Sequence, residues 1–551
     1  MDEPGQDLGV GPKRRARPGD GAPQQAPVSG EAAEAGLDRN ERIRLMRDGI
    51  LNNTSIFISG LIGIVLVPIM LKGLGSEAYG VWIAALSITS AAGLFDFGLG
   101  ASLTREVAAA QREGIGDETT RFLKAAGTAN LAIGILGALL IATLGMPLSS
   151  GLHLSPVAGK IAPEVFALAG VSFLSDRLLA YTLAVLRGMR RFDISNLVSS
   201  LAALSRACGI IVLIKLQAGL PALMTWQVGA GLAAALAGQF MVASLKSEFR
   251  YRTGRLEWKL VRSHLPFGSA SQLTSIMEVM IWDMIPVVVG LVLGSRWIAP
   301  FYIAQKFPTA VAPLIWSAAE ALFPAVSQHR RDEDMGATRA ILEAGTRWIV
   351  ALALPLCAGL WLIAPELLGA WVGNVDPGAV LVMRLITAAM FLEGIAAAPV
   401  QVLWGRGELR PLLLVPSCIL VASLGLTLGL LPRLGMVGAA WGLLLPTLVG
   451  AAAYFHVAAE ICGVRVLSLL GSAFRGLALP VLAMVACVTG VQDFGLKGWP
   501  GVSVTIAAGG FVYLLCFFLS GAREEELILT RRLIAALRAL PSSAYKSAGK
   551  P

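Results

Sequence analysis

The sequence predicts an all-α polytopic membrane protein with about fourteen transmembrane helices, and three observations predict it. Of the 551 residues, 55% are hydrophobic and only 15% are charged, with a mean hydropathy of +0.69, which excludes an ordinary soluble domain. The apolar residues form runs of about 20 to 25, which match a hydrocarbon core of roughly 30 Å. The runs lack the strict alternation of β-barrel strands. They are therefore predicted to be helices, which satisfy their own backbone hydrogen bonds inside a bilayer.

The apolar runs give the predicted spans in order. They cover residues 50–72, 78–101, 122–145, 163–187, 195–216, 220–245, 265–292, 297–326, 346–369, 379–403, 411–432, 436–460, 474–492 and 500–520. Residues 1–38 are rich in Gly, Pro, Ala and charge without an apolar run, so they are predicted to be a disordered tail. Residues 522–551 are predicted to be a second tail, with an amphipathic surface helix from Glu524 to Leu540.

The distribution of Lys and Arg predicts the orientation of the chain. Most basic residues precede the first span or follow an even-numbered span, and the other loops contain few. Because basic loops are retained on the cytoplasmic side, both tails are predicted to be cytoplasmic. Basic loops beside anionic lipid also explain the formal charge of +9, so membrane lipid is expected as a partner and nucleic acid is not.

Motifs for other chemistry are missing from the sequence. The six cysteines lie in or beside apolar runs without paired spacing, which is typical of small buried hydrophobic residues. There is no GxxxxGK[ST] loop and no HExxH motif. We therefore expect no cofactor, no ATP hydrolysis, no zinc site and no enzymatic activity.

A weak internal repeat divides the chain into two halves. Leu74-Gly75-Ser76 recurs 219 residues later as Leu293-Gly294-Ser295. Leu186-Arg187-Gly188 matches Leu403-Trp404-Gly405 at its outer residues, 217 residues apart, and that offset aligns Asp176 with Glu393. The predicted organisation is a six-helix lobe at 39–260, a second at 261–465 in parallel orientation, and two additional helices at 466–521. A substrate site is expected between the lobes.

The same segments carry a resemblance to a known family. Residues 74–82 (LGSEAYGVW) and 93–100 (GLFDFGLG) resemble the beginning of polysaccharide flippases of the Wzx type, within the multidrug/oligosaccharidyl-lipid/polysaccharide exporter superfamily. Residues 186–193 (LRGMRRFD) and 434–441 (LGMVGAAW) are similar to later segments of those proteins. The resemblance implies two lobes around a central cavity, and alternating access. It also implies a place in the inner (plasma) membrane and transport of undecaprenyl-pyrophosphate-linked oligosaccharide from its cytoplasmic to its outer leaflet, with a polysaccharide polymerase and export proteins as possible partners.

Polar residues within the spans are the candidate lining of such a cavity. On the seventh span Ser271, Ser275 and Glu278 recur at helical spacing, beside Gln272. On the eighth span the polar residues are Tyr302, Lys306, Thr309 and Glu320. Pro308 and Pro313 interrupt that helix, and the backbone groups they free are tolerated beside a cavity or a packed neighbour. Glu393 on the tenth span is a further candidate.

Charged residues within spans are costly, so each is a functional candidate. Arg177, Arg206 and Lys306 are the candidate ligands of a pyrophosphate, because Arg offers a planar fork and Lys a point charge. Asp96 joins them through its place in the family segment. The alternative role is an ion pair that fastens helices, for example Asp176 with Arg206.

Two acidic residues within the seventh span are candidates for coupling transport to an ion. Glu278 and Asp283 could carry a proton or cation, and polar packing between helices is the alternative role.

Two other classes of function compete with the flippase. A multidrug antiporter of the same superfamily is the first rival function, and it would favour an aromatic, acidic cavity. A membrane-bound glycosyltransferase or polymerase is the second, and it would require a large aqueous loop. The favoured function is transport of a lipid-linked oligosaccharide.

Overall fold

A computed structural model describes residues 39–96, 98–264, 269–328, 335–373 and 376–522. For residues 39–59, 95, 262–264, 269–271 and 328 it describes the backbone alone. The predicted disordered tail at 1–38 and the predicted surface helix from Glu524 to Leu540 lie outside the described residues.

Nineteen α-helices make up the described chain, in which no β-strand occurs. The first seven are α1 (Arg39–Gly93), α2 (Leu99–Glu113), α3 (Asp117–Gly151), α4 (Pro156–Gly188), α5 (Phe192–Lys215), α6 (Leu220–Leu245) and α7 (Trp258–His264). The next six are α8 (Ser269–Trp282), α9 (Ile285–Leu293), α10 (Ile298–Glu320), α11 (Leu322–Gln328), α12 (Met335–Leu362) and α13 (Ala364–Val372). The last six are α14 (Pro377–Arg406), α15 (Leu409–Leu434), α16 (Met436–Ile461), α17 (Val466–Phe474), α18 (Ala478–Asp493) and α19 (Gly498–Cys516).

The number of membrane-crossing helices agrees with the prediction of about fourteen. By length and composition, 12 described helices can cross a membrane, and the count is 13 when α17 and α18, bent by 53°, are taken together as one span. The long helix α1 is interrupted at Gly75, so it contains the first predicted span and most of the second. Each later predicted span falls on one helix or on a consecutive pair such as α8 and α9. The protein is therefore a multi-pass, all-helical membrane protein.

The distribution of apolar side chains fits a bilayer on the outside. Leu136 of α3 is 66% exposed and Phe240 of α6 is 74% exposed, whereas Phe166 of α4 and Phe301 of α10 are completely buried. Such large exposed side chains are costly in water but not against lipid chains.

The internal repeat is also present in the backbone. Gly75 has φ 79° and ψ 167°, and Gly294 has φ 98° and ψ 155°. This region is accessible essentially only to glycine. The two glycines therefore make the same turn at corresponding places, Gly75 between the first two spans and Gly294 between the seventh and eighth.

The second pair of matching glycines occupies equivalent contacts. A Cβ atom on Gly188 would lie 2.7 Å from the carbonyl oxygen of Thr104, in the helix that follows the second span. A Cβ atom on Gly405 would lie 2.6 Å from Val326 Cγ1, in α11 at the end of the eighth span. The fourth and tenth spans thus contact equivalent elements, which supports the division into two lobes. The exact lobe boundaries near residues 260 and 465 stay predictions.

We predict that Gly75→Ala and Gly294→Ala each lower the free energy of unfolding by about 1–3 kcal/mol, because alanine is strained in this backbone conformation. Gly429→Ala is the matched control, since Gly429 is helical and has open space around it. Thermal unfolding of the purified protein in detergent measures the difference. An equal loss in all three variants would contradict the conformational explanation.

The two C-terminal spans are fastened to the second lobe by one buried arginine, Arg347. Arg347 in α12 is only 2% exposed. Its two terminal nitrogens each donate a 2.6 Å hydrogen bond, one to the carbonyl oxygen of Arg475 and one to that of Gly521. These carbonyls end α17 and the turn after α19, so Arg347 satisfies helix ends that would otherwise lack partners.

The two lobes contact each other along α1 and α10. Ser76 donates a 3.1 Å hydrogen bond to the carbonyl oxygen of Arg296, and the backbone N–H of Ser295 donates to that of Leu152 at 2.9 Å. A Cβ atom on Gly80 would come within 2.6 Å of the carbonyl oxygen of Ser295, so the backbones approach closely. The lobes are therefore closed together at the end of the molecule that carries Gly75 and Gly294.

Candidate functional site

A chain of cavities lies between the two lobes, and Tyr302 lines three of them. The first, here called the second-lobe cavity, has a volume of about 670 Å³ and is lined by α8, α10 and α14. The first-lobe cavity, about 400 Å³, is lined by α1, α4, α5, α6 and α10. A third of about 210 Å³ joins them beside Tyr79, Trp82 and Asp283. These spaces lie where the repeat predicts a substrate site.

Lys306 lies at the junction of the two larger cavities. Its Nζ donates to the Tyr302 hydroxyl at 3.3 Å and sits 5.3 Å from the centre of that ring. A Cβ atom on Gly63, in the first span, would lie 3.5 Å from Nζ, so the ammonium reaches across to the first lobe. Neither contact is with a carboxylate. The ammonium therefore keeps donors available for an anion between the lobes.

Arg206 lines the first-lobe cavity and is paired. Its guanidinium donates to Asp176 Oδ1, and the two side chains are 21% and 35% exposed. This is the ion pair named above as the alternative to substrate binding. Because both partners remain partly accessible beside the cavity, the guanidinium has donor positions left for a second acceptor.

Arg177 departs from the expectation that it shares a cavity with Arg206 and Lys306. Its guanidinium contacts Asp96 Oδ1 at 2.5 Å and Asn130 Oδ1 at 2.8 Å, with only 9% of its side chain exposed. The cause is geometric: Asp176 and Arg177 are adjacent on α4, hence about 100° apart around the helix. The first faces α5 and the second faces Asp96. As substrate ligands, Arg177 and Asp96 stay predictions without support from this arrangement.

The corresponding positions of the second lobe hold no such pair. Offsets of 217 and 219 residues align Arg177 with Gly394 and Asp96 with Ile315. A Cβ atom on Gly394 would lie 3.0 Å from Ile315 Cγ2, so an apolar contact replaces the ion pair. The two lobes therefore differ in their buried charged residues, although their backbones repeat.

Carboxylates dominate the second-lobe cavity. Glu278, Asp283, Glu320 and Glu393 all line it, together with Lys306. Glu278 and Glu393 also line an adjoining pocket of about 130 Å³ beside Trp316 and Tyr454. Glu393 corresponds to Asp176, yet the residue aligned with Arg206 is the buried Ser423. The second lobe therefore has a carboxylate where the first lobe has Asp176, but it has no arginine at the position that corresponds to Arg206.

The remaining predicted lining residues differ in position. Thr309 lines the second-lobe cavity with Tyr302, whereas the described lining of that cavity does not include Ser275 or Gln272.

Two of the predicted residues make hydrogen bonds between the lobes. Gln272 donates a 3.1 Å hydrogen bond to the carbonyl oxygen of Leu94, across the interface between the lobes. Asp283 accepts a 2.6 Å hydrogen bond from Ser90, also across that interface. Both residues therefore hold the two lobes together.

Sequence reasoning missed part of the aromatic and amide lining. Tyr79 and Gln227 line the first-lobe cavity, and Trp282 and Trp316 line the second-lobe cavity. Trp282 lies four residues after Glu278 on the same predicted face, so helical spacing offered a signal for it. Helical spacing from a predicted lining residue does not mark Gln227 in the same way, because no lining residue was predicted on its span.

Known proteins resemble the chain in sequence and in fold. A putative O-antigen transporter of Shigella flexneri is 23% identical over 410 residues, which cover 72% of this chain and 93% of that protein. A structure of the lipid II flippase MurJ in an inward closed conformation superposes with a TM-score of 0.64 at 14% identity, over 88% of this chain and all of the other. An inward-facing multidrug resistance MATE family transporter of the MOP superfamily gives 0.57 at 16% identity, over 75% of this chain and 99% of the other.

The superpositions show that the chain shares its fold with these two membrane proteins. The family is shown by a match of the sequence to a family model, because that match extends over more than half of the chain. It covers most of the predicted first lobe and includes Lys306. The chain belongs to the polysaccharide biosynthesis protein family, which matches residues 45–329.

Proposed function

We propose that this protein carries a polyprenyl-pyrophosphate-linked oligosaccharide across the inner membrane, from the cytoplasmic to the outer leaflet, by alternating access of the two lobes. The observation that carries the proposal is the position of Lys306 beside the accessible guanidinium of Arg206. Its ammonium lies between the lobes and contacts Tyr302, and no carboxylate among the described residues pairs with it. The similarity to an O-antigen transporter supports the substrate class.

The uneven charge of the cavities suggests how such a substrate would lie. The pyrophosphate fits the first-lobe side, where Arg206 and Lys306 offer charged donors. The sugars fit the second-lobe cavity, where Trp282 and Trp316 offer flat apolar faces and Glu320 offers a hydrogen-bond acceptor for hydroxyl groups. Lys306 would then mark the boundary between the two parts of the head group.

The orientation follows from the basic loops. With both tails cytoplasmic, the turns at Gly75 and Gly294 face outward, so the contacts between Ser76, Ser295 and their partners close the outer side. Release to the outer leaflet would require these contacts to break. A polysaccharide polymerase and export proteins are the expected partners downstream.

The proposal is tested with the purified protein in liposomes that contain fluorescent undecaprenyl-pyrophosphate–N-acetylglucosamine in both leaflets. A membrane-impermeant quencher reports how much lipid is exposed outside. We expect quenching of about half of the label in protein-free liposomes and of a clearly larger fraction when the protein equilibrates the leaflets. Quenching that stays at the protein-free level with correctly folded protein would contradict the proposal.

One observation favours a second candidate, a multidrug antiporter coupled to a proton or cation. The second-lobe cavity is acidic and aromatic, with Glu278 and Glu393 facing a shared pocket that has no basic residue in its described lining. In either function Glu278 and Asp283 are the proposed coupling residues. The functions are separated by adding rhodamine 6G to the same liposomes under an imposed pH or Na⁺ gradient. Gradient-driven dye uptake without movement of the labelled lipid would favour the antiporter.

A further inference from the structure

A separate groove lies on the outer face of the first lobe, away from the central cavities. It has a volume of about 640 Å³ and is here called the α4–α6 groove. Its apolar wall is formed by Leu178 of α4 and by residues of α6, and Gln239, Arg250 and Tyr251 line it as well. Leu236 and Phe240 on this wall are 71% and 74% exposed, so the groove opens toward the membrane.

The dimensions of the groove fit one acyl chain in one leaflet. The groove follows α6 from Leu232 to Ala243, and the eleven steps between these two residues correspond to about 17 Å at 1.5 Å per step. Half of a hydrocarbon core of roughly 30 Å is about 15 Å. An apolar space of this kind would forfeit dispersion contacts if empty, and a lipid chain restores them.

The end of the groove near the α6–α7 loop is rigid. The Tyr251 hydroxyl donates a 2.7 Å hydrogen bond to the carbonyl oxygen of Gly127. The backbone N–H of Tyr251 donates a second one, also of 2.7 Å, to Gln239 Oε1. Gln239 in turn donates to Thr182 Oγ1 at 2.7 Å. The loop that carries Arg250 is therefore pinned to α3, α4 and α6.

Arg250 is the charged group at this end. It is exposed, and within the part of the chain that the structure describes no hydrogen bond or ion pair engages its guanidinium. The surrounding segment 246–262 has six basic and two acidic residues. A rigid apolar groove that ends at a free guanidinium in a basic loop matches a lipid with a negatively charged phosphate, because Arg binds phosphate through two parallel hydrogen bonds.

We propose that the α4–α6 groove is a binding site for one anionic phospholipid, with an acyl chain along α6 and its phosphate on Arg250. In the orientation given by the basic loops, this lipid belongs to the cytoplasmic leaflet. The site is independent of the cargo of the central cavities, so its test does not involve transport.

The test uses the full-length protein, purified in detergent and mixed with phosphatidylglycerol or phosphatidylethanolamine of the same acyl chains. Native mass spectrometry measures how much of each lipid stays bound. We expect wild-type protein to retain phosphatidylglycerol preferentially, and Arg250→Gln to weaken that binding about fivefold or more, since one basic residue at a membrane surface contributes about 1 kcal/mol. Arg250→Lys should lose less.

Two further variants separate the groove from general surface charge. Ala243→Phe should fill the groove and weaken the binding of both phospholipids. Arg255→Gln is the control: it removes an exposed arginine of the same loop that does not line the groove, and it should leave the retention of both lipids unchanged. Unchanged retention in Arg250→Gln, or equal losses in Arg250→Gln and Arg255→Gln, would overturn the phosphate contact. Unchanged retention in Ala243→Phe, or tighter binding of undecaprenyl phosphate than of phosphatidylglycerol in the groove, would overturn the proposed occupant.

Discussion

Lys306→Gln should reduce movement of the labelled undecaprenyl lipid at least about tenfold while the protein remains folded in the membrane. The ammonium of Lys306 contacts the Tyr302 hydroxyl and its ring, and no carboxylate in the described part of the chain pairs with it, so its loss leaves no described acid unpaired. What is lost is a charged donor to the pyrophosphate, and a hydrogen bond to a charged group is worth about 1.5–3 kcal/mol. The liposome quenching assay measures the rate.

Two companion variants make the Lys306 result specific. Lys306→Arg should restore part of the rate, because the charge returns at a similar depth with a different shape. Lys160→Gln is the matched control: it removes an exposed lysine at the start of α4 and should leave the rate unchanged. A Lys306→Gln protein that moves the lipid at the wild-type rate would exclude Lys306 as a pyrophosphate ligand.

The helices themselves were predictable because their signals are local. Each apolar run is about as long as a bilayer is thick, and loop charge marks where it ends. The repeat was visible because Gly75 and Gly294 occupy a backbone conformation that other residues avoid, so the turn leaves a trace in the sequence. Some helix boundaries differ from the predicted spans by several residues. Helix α4 begins at Pro156, seven residues before the predicted start of the fourth span, and the predicted ninth span is broken after Leu362 into α12 and α13.

The partners of the buried charges were not predictable to the same degree. Helical spacing fixes which residues share a face, but it does not say which neighbouring helix that face meets. Asp176 with Arg206 could be named because both lie at similar depth on consecutive spans. Arg177 with Asp96 joins residues 81 apart, and Asn130, their third partner, is one polar residue in an apolar run. Arg347 lay one residue inside a predicted span, yet its partners are backbone carbonyls, which leave no trace in the sequence.

The second large effect is expected from Arg177→Gln, which should destabilise the protein by about 3–5 kcal/mol, because it leaves Asp96 charged without its partner. The double variant Arg177→Gln with Asp96→Asn should recover most of that loss, since both buried charges disappear together. Detergent-solubilised yield and thermal unfolding measure stability, and the liposome assay measures lipid movement. Recovery of both in the double variant identifies the pair as structural.

The other ion pair of α4 is the control, and it is expected to behave oppositely. Arg206 and Asp176 are 21% and 35% exposed beside the first-lobe cavity, so Arg206→Gln should leave the protein folded and abolish lipid movement. Adding Asp176→Asn should not restore movement, because the pyrophosphate still lacks its guanidinium. Full activity in that double variant would show that Arg206 only neutralises Asp176. Persistent instability of the Arg177→Gln, Asp96→Asn protein would mean that Arg177 has a role beyond its carboxylate partner. The two cycles together separate the arginine that holds the first lobe together from the one that meets the substrate.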